Sequence, residues 1–98
     1  MICEKTSDGK KLNVKLIGEV DSLNSAKIEE ELLKEAEGVT DLTFDMSELE
    51  YISSAGLLML LHLQRMMQTQ GSMRIINTNE EVMEIFRITE FDRLLDFV

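Results

Sequence analysis

At 98 residues the chain holds one domain's worth of core, and 44% hydrophobic against 30% charged residues is the balance of a folded globular domain. A formal net charge of -9 sets the surface against nucleic acid and anionic lipid, so a partner is expected to be neutral or basic where it touches. A single cysteine, Cys3, excludes an intrachain disulfide, and a single histidine, His62, leaves no Cys/His cluster for a zinc site.

The N-terminal stretch MICEKTSDGKK lacks the apolar segment of a secretory leader. The longest strongly apolar run, residues 55–63, is too short to span a bilayer, so no membrane insertion and a cytoplasmic location are expected. Cys3 reads as a small residue, buried or frayed near a terminus, rather than a reactive thiol. No repeat, low-complexity tract or linker interrupts the chain, and a single domain over residues 1–98 is expected.

In chain order, SDGKK (residues 7–11) reads as the turn of a hairpin. LNVKLIGEV follows, with Leu12, Val14 and Leu16 alternating against Asn13 and Lys15, the pattern of a half-buried strand. DSLNSAKIEEELLKEAEG reads as a helix, with Ser22 or Asn24 as its cap, an apolar stripe of Ile28, Leu32 and Leu33, and Gly38 at its end. TDLTFDM is a second alternating strand with Leu42, Phe44 and Met46 on one face. Residues 55–69 form the central helix, with Gly56 at its start and Gly71 past its end. SMRIINT is a third strand of parallel type, and NEEVMEIFRITEF a helix with acidic residues at its start and Val82, Ile85 and Phe86 at helical spacing. RLLDFV reads as a last short strand. Strands alternating with helices of this length imply βαβ units and a mainly parallel sheet behind an N-terminal hairpin.

Ser53 and Ser54 stand where the second strand runs into the central helix. Three readings compete for them. A serine ahead of a helix caps it by accepting a bond from an orphan backbone N–H. A nucleophilic serine on a strand–turn–helix corner wants glycine on both sides and a base. Here the upstream glycine is missing, and His62 lies two turns along the helix, so acyl-transfer chemistry is not supported and no catalytic residue is assigned. A phosphate on Ser54 would lie at a helix N-terminus, where free N–H groups and the macrodipole favour an anion. It would repel an acidic or apolar partner docked at the same corner.

Along that helix Leu57, Leu60, Leu61 and Met67 suit the core. Leu58, His62, Arg65 and Thr69 form another stripe, with Met59 and Met66 beside it. Leu58 and Met59 are more apolar than a solvated face requires. They are either covered by a neighbouring helix or present an adaptable apolar patch to a partner. The same surface suits a weak self-association. His62 is most simply a surface histidine.

Together these stretches resemble the anti-sigma factor antagonists of the STAS domain family. LIGEVD (residues 16–21) is similar to the family's apolar-Gly-Glu-x-Asp signature. FDMSELEYISSAGLLMLL is similar to its central signature of strand, Asp, short linker, aromatic, serine, small residue, Gly-Leu and helix. IFRITEFDRLLDF is similar to its C-terminal helix and last strand. The resemblance covers nearly the whole chain and implies an N-terminal hairpin leading into a mainly parallel mixed sheet of four to five strands, with helices mostly on one face. It implies a non-enzymatic binding protein that needs no cofactor and no metal. That protein sequesters an anti-sigma factor serine kinase, is switched off by phosphorylation of a serine at the tip of the central helix, and is restored by a metal-dependent serine phosphatase.

Residue by residue, the resemblance puts Ser53 at the family's Asp position and Ser54 at the phosphoacceptor, with Ser53 the fallback acceptor. Ala55, Gly56 and Leu57 follow. Asp21 is expected near the same corner, and Asp45 at the end of the adjoining strand. The implied partner-binding set is Asp21, Ser53, Ser54, Ala55, Gly56, Leu58, Met59 and His62, with Gly56 admitting a partner's backbone. Glu90, after Thr89, stands where the family often has glycine. A lone domain of this family also suits a non-switching accessory subunit of a lipid-transport ABC complex, or a module of a stress-sensing assembly.

Overall fold

The computed structural model describes residues 3–98. Strands β1 (Cys3–Asp8) and β2 (Lys11–Val20) form the expected antiparallel hairpin around Gly9 and Lys10. Helix α1 (Ser25–Glu35) leads to β3 (Asp41–Ile52), helix α2 (Ser54–Gln68) to β4 (Ser72–Ile76), and helix α3 (Glu80–Ile88) to a 3-10 turn at Phe91–Arg93. The sheet order is β1-β2-β3-β4, with β2, β3 and β4 parallel. The protein is thus a mixed α/β domain whose parallel strands are joined by helices, as the alternation predicts.

The two-residue period of the strands decides which face they bury. Leu12 pairs with Leu42 and that with Met73, while Val14 pairs with Phe44 and that with Ile75. All six are buried and share one face. Ile28 and Leu32 of α1, Leu60 and Leu63 of α2, and Val82 and Phe86 of α3 complete the same core. The opposite face carries polar pairs such as Lys15–Glu48 and Arg74–Asp41. A sheet with one polar face leaves the helices a single apolar side to cover.

Strand β3 is longer than its apolar alternation suggests. Residues 47–52, beyond the alternating stretch TDLTFDM, continue the strand beside Ile17–Val20 of β2. Two register shifts in the β2–β3 pairing each place one extra residue in β3. Burial there falls on Met46, Leu49 and Ile52, every third residue, and a period-two reading does not detect that spacing. Asp45 therefore lies inside β3 rather than at its end, which corrects the expectation. Ser47 N–H donates to its carboxylate at 2.9 Å, and Asn77 Nδ2 at 3.4 Å. Burial works against the charged form of Asp45, but those hydrogen bonds and nearby Lys15 together hold its pKa below the usual carboxylate range.

The C-terminal segment is also corrected. RLLDFV is not a strand. The 3-10 turn consumes Arg93, Leu95 turns into the core, and only Phe97 makes a parallel bridge, to Ile75. The Phe97 ring meets Phe86 edge to face at 4.8 Å, which docks the segment against α3. Cys3 is buried, and burial pushes its thiol pKa up, in keeping with an inert side chain.

Two backbone positions set the joints. Gly71 lies against the Thr40 carbonyl so closely that a Cβ would stand 2.0 Å from its oxygen. That oxygen also accepts from Ser72 N–H at 3.0 Å, which starts β4 beside β3. Glu90 ends α3 in the left-handed region at φ 63°, where glycine carries no Cβ penalty. The two sites predict opposite effects in urea unfolding. Gly71→Ala is expected to lose about 2–3 kcal/mol, because backbone rather than a flexible side chain must move. Glu90→Gly is expected to gain about 0.5–1 kcal/mol.

Candidate functional site

The site is the corner where β3 ends and α2 begins. Ser53 N–H donates to the Val20 carbonyl at 2.8 Å, tying the end of β3 to the end of β2. Ser53 is extended at φ -85°, ψ 173°, and is the N-cap of α2. Its Oγ accepts from Gly56 N–H at 3.3 Å, and its carbonyl from Leu57 N–H at 2.9 Å. The capping role thus belongs to Ser53. Ser54 is the first helical residue, is exposed, and makes no side-chain hydrogen bond among the described residues.

The electrostatics of this terminus are simple. The cap is neutral, and no acidic residue stands in the first turn of α2. The positive end of the helix macrodipole is therefore not compensated by the helix's own side chains. The surroundings are acidic instead. Glu19, Asp21 and Glu50 flank the paired ends of β2 and β3, while Glu48 is already paired with Lys15 and Lys27 stands in the first turn of α1.

Gly56 has an internal role, which corrects its assignment as an opening for a partner's backbone. It is buried, and a Cβ there would stand 2.6 Å from Ile52 Cγ1 and 2.9 Å from Val20 Cγ1. The approach that Gly56 permits is that of α2 onto the paired ends of β2 and β3. Met59 is corrected as well. It is fully buried in the core and offers nothing to a partner, whereas Leu58 is 49% exposed. Ala55 is half-buried.

Leu58, His62, Arg65 and Thr69 are all exposed and trace the expected stripe. His62 is not free, however. Its Nδ1 lies 3.0 Å from Glu29 Oε1, linking α2 to α1. Asp21 lies beside the corner, directly after Val20, as expected. Its Oδ1 accepts from the backbone N–H of Leu23 at 2.9 Å and of Asn24 at 3.0 Å. Asn24 holds the N-cap position of α1, but its side chain accepts from Asp21 N–H at 2.9 Å instead of capping the helix. Two exposed apolar residues near the corner escaped the sequence reading, Leu23 and Tyr51. A signal existed for Leu23, a leucine outside the helical stripe of Ile28 and Leu32.

Folding stability should separate these roles in chemical denaturation. Ser53→Ala is expected to lose about 1 kcal/mol with the cap, and Ser53→Asp to lose none of it. Met59→Ala should lose about 2–5 kcal/mol, as a buried methionine, while Leu58→Ala stays within about 1 kcal/mol.

Comparison with known proteins gives this corner its context. The STAS domain model matches residues 4–98. A candidate anti-sigma factor antagonist of Bordetella bronchiseptica, BtrV, is 36% identical over 78 residues, covering 78% of this chain and 67% of the relative. The anti-sigma-B factor antagonist of Bacillus subtilis is 28% identical over 86 residues, covering 87% and 79%. Among solved structures, a candidate anti-sigma factor antagonist of Thermotoga maritima superposes with a TM-score of 0.87 at 16% identity, covering 97% of this chain and 84% of that one, a likeness of fold. With nearly every described residue inside the family match and the strand–serine–helix corner at its centre, the chain belongs to the STAS domain family.

Proposed function

We propose that the protein is an anti-sigma factor antagonist, a binding regulator without catalysis of its own. It captures a serine-kinase anti-sigma factor through the α2 corner and is switched off when that kinase phosphorylates Ser54. A serine phosphatase restores it. The observation that carries this reading is the division of labour between the two serines. Ser53 spends its hydroxyl on the cap, while Ser54 stands exposed at the first helical position with its hydroxyl free among the described residues. The names of the two sequence relatives supply the class of partner.

The physical logic of the switch follows from the terminus. A phosphate on Ser54 meets the unpaired N–H groups of the first turn, with no acidic side chain there to repel it. The domain itself is not asked to refold. The added charge instead acts on the docked partner, because the contact would have to strip water from a phosphate that the bare hydroxyl did not carry. No helix among the described residues is long and apolar enough to cross a membrane.

Ser54→Asp is expected to weaken binding to the anti-sigma factor by about 2–5 kcal/mol, as for an unpaired charge at a buried contact. Folding stability should change by no more than about 1 kcal/mol. Titration calorimetry and urea unfolding of the same two proteins read both quantities. Equal affinity of wild type and variant would overturn the switch. A stable complex with a transport ATPase, indifferent to the substitution, would make the protein an accessory subunit.

A further inference from the structure

The turn between β2 and α1 carries Leu23, at 91% exposure the most exposed large apolar side chain among those described. Its placement is built rather than loose. Asp21 Oδ1 receives the Leu23 and Asn24 N–H groups, and Asn24 Oδ1 receives the Asp21 N–H. Asn24 Nδ2 reaches the Glu19 carbonyl at 2.9 Å, and Ser25 N–H the Asp21 carbonyl at 3.0 Å. Turning Leu23 toward the core would break this set, so the leucine is held outward. With the backbone of the turn already ordered, binding costs only the rotamer freedom of the leucine side chain itself.

The turn adjoins the Ser54 corner. Asp21 follows Val20, whose carbonyl holds Ser53 N–H and whose side chain lies against Gly56. Because β2 and β3 are parallel, the turn and the start of α2 emerge at the same end of the sheet. The charged residues that flank this end are mostly acidic, Glu19, Asp21 and Glu50, with Lys27 on the first turn of α1. A second copy of the chain is a poor occupant, since it would bring the same acidic flank against this one.

We propose that Leu23 is a second anchor of the partner contact, seated in an apolar pocket of the anti-sigma factor whose rim is basic, while the Ser54 corner docks beside it. This rests on the reading of the chain as an anti-sigma factor antagonist. Asp21 is then a positioning residue, acting through the turn that presents Leu23.

The test titrates purified serine-kinase anti-sigma factors of the source organism with wild type, Leu23→Ala, Leu23→Met, Asp21→Ala, Asp21→Asn and Ser54→Asp. Urea unfolding and sedimentation are measured on each chain. Leu23→Ala is expected to weaken binding about ten- to a hundredfold with unfolding unchanged, because the side chain buries nothing in the free protein. Leu23→Met should keep most of the affinity, since an unbranched apolar chain still fills the pocket. Asp21→Asn, which keeps the acceptor, should bind more tightly than Asp21→Ala. Wild-type affinity in Leu23→Ala, with Ser54→Asp still impaired, overturns the anchor and leaves the antagonist reading standing. A self-association lost in Leu23→Ala with partner binding intact also overturns it, giving Leu23 to a second copy. Failure of the wild type to bind any such kinase overturns the antagonist reading and the anchor with it.

Discussion

The close seating of α2 on the joined ends of β2 and β3 is the constraint on which the rest of the structure depends. Val20 and Ile52 pair in register, Ser53 N–H bonds the Val20 carbonyl, and Gly56 leaves no room for a Cβ above them. This seating points the first turn of α2 outward and directs Leu57, Leu60 and Leu63 into the core. It also brings the β2–α1 turn alongside, because parallel strands deliver their following segments to the same end of the sheet. The candidate site is thus a product of parallel topology rather than of any single motif.

At that end the two adjacent serines play different physical parts. The cap satisfies one of the backbone donors that a helix start leaves unpaired, the Gly56 N–H. The next hydroxyl, one residue on, faces solvent. A neutral cap and a first turn without acids make the terminus receptive to an anion, while the neighbouring strand ends are acidic. The polar face of the sheet, with its Lys15–Glu48 and Arg74–Asp41 pairs, takes no part in this arrangement. Exposed pairs of that kind add little to stability.

Much of the architecture was legible in the sequence because one buried face writes a regular period. Leu12, Val14 and Leu16 in β2, and Val82 and Phe86 in α3, show it. The reading failed where the period changed. Bulges turned residues 47–52 into strand that did not alternate, and a single bridge at Phe97 looked like a strand because its neighbours are apolar. At the site, the sequence brought attention to the right corner but mixed its inner and outer residues. Leu58 and Met59 are chemically alike, and which of the two is buried depends on the side of α2 that the rest of the domain covers.

By itself, the sequence determined the order and type of the helices and strands as far as α3, the acidic net charge, and the presence of a hydroxyl pair at a strand–helix joint. Those follow from local periodicity, charge and capping chemistry, which act over a few residues. Tertiary structure decided that Ser53 caps while Ser54 is free, that Gly56 serves the domain's own packing, and that Asp21 holds Leu23 outward. Each of these depends on contacts between residues far apart in the chain or on the detailed path of a turn. Neither spacing nor composition specifies such contacts.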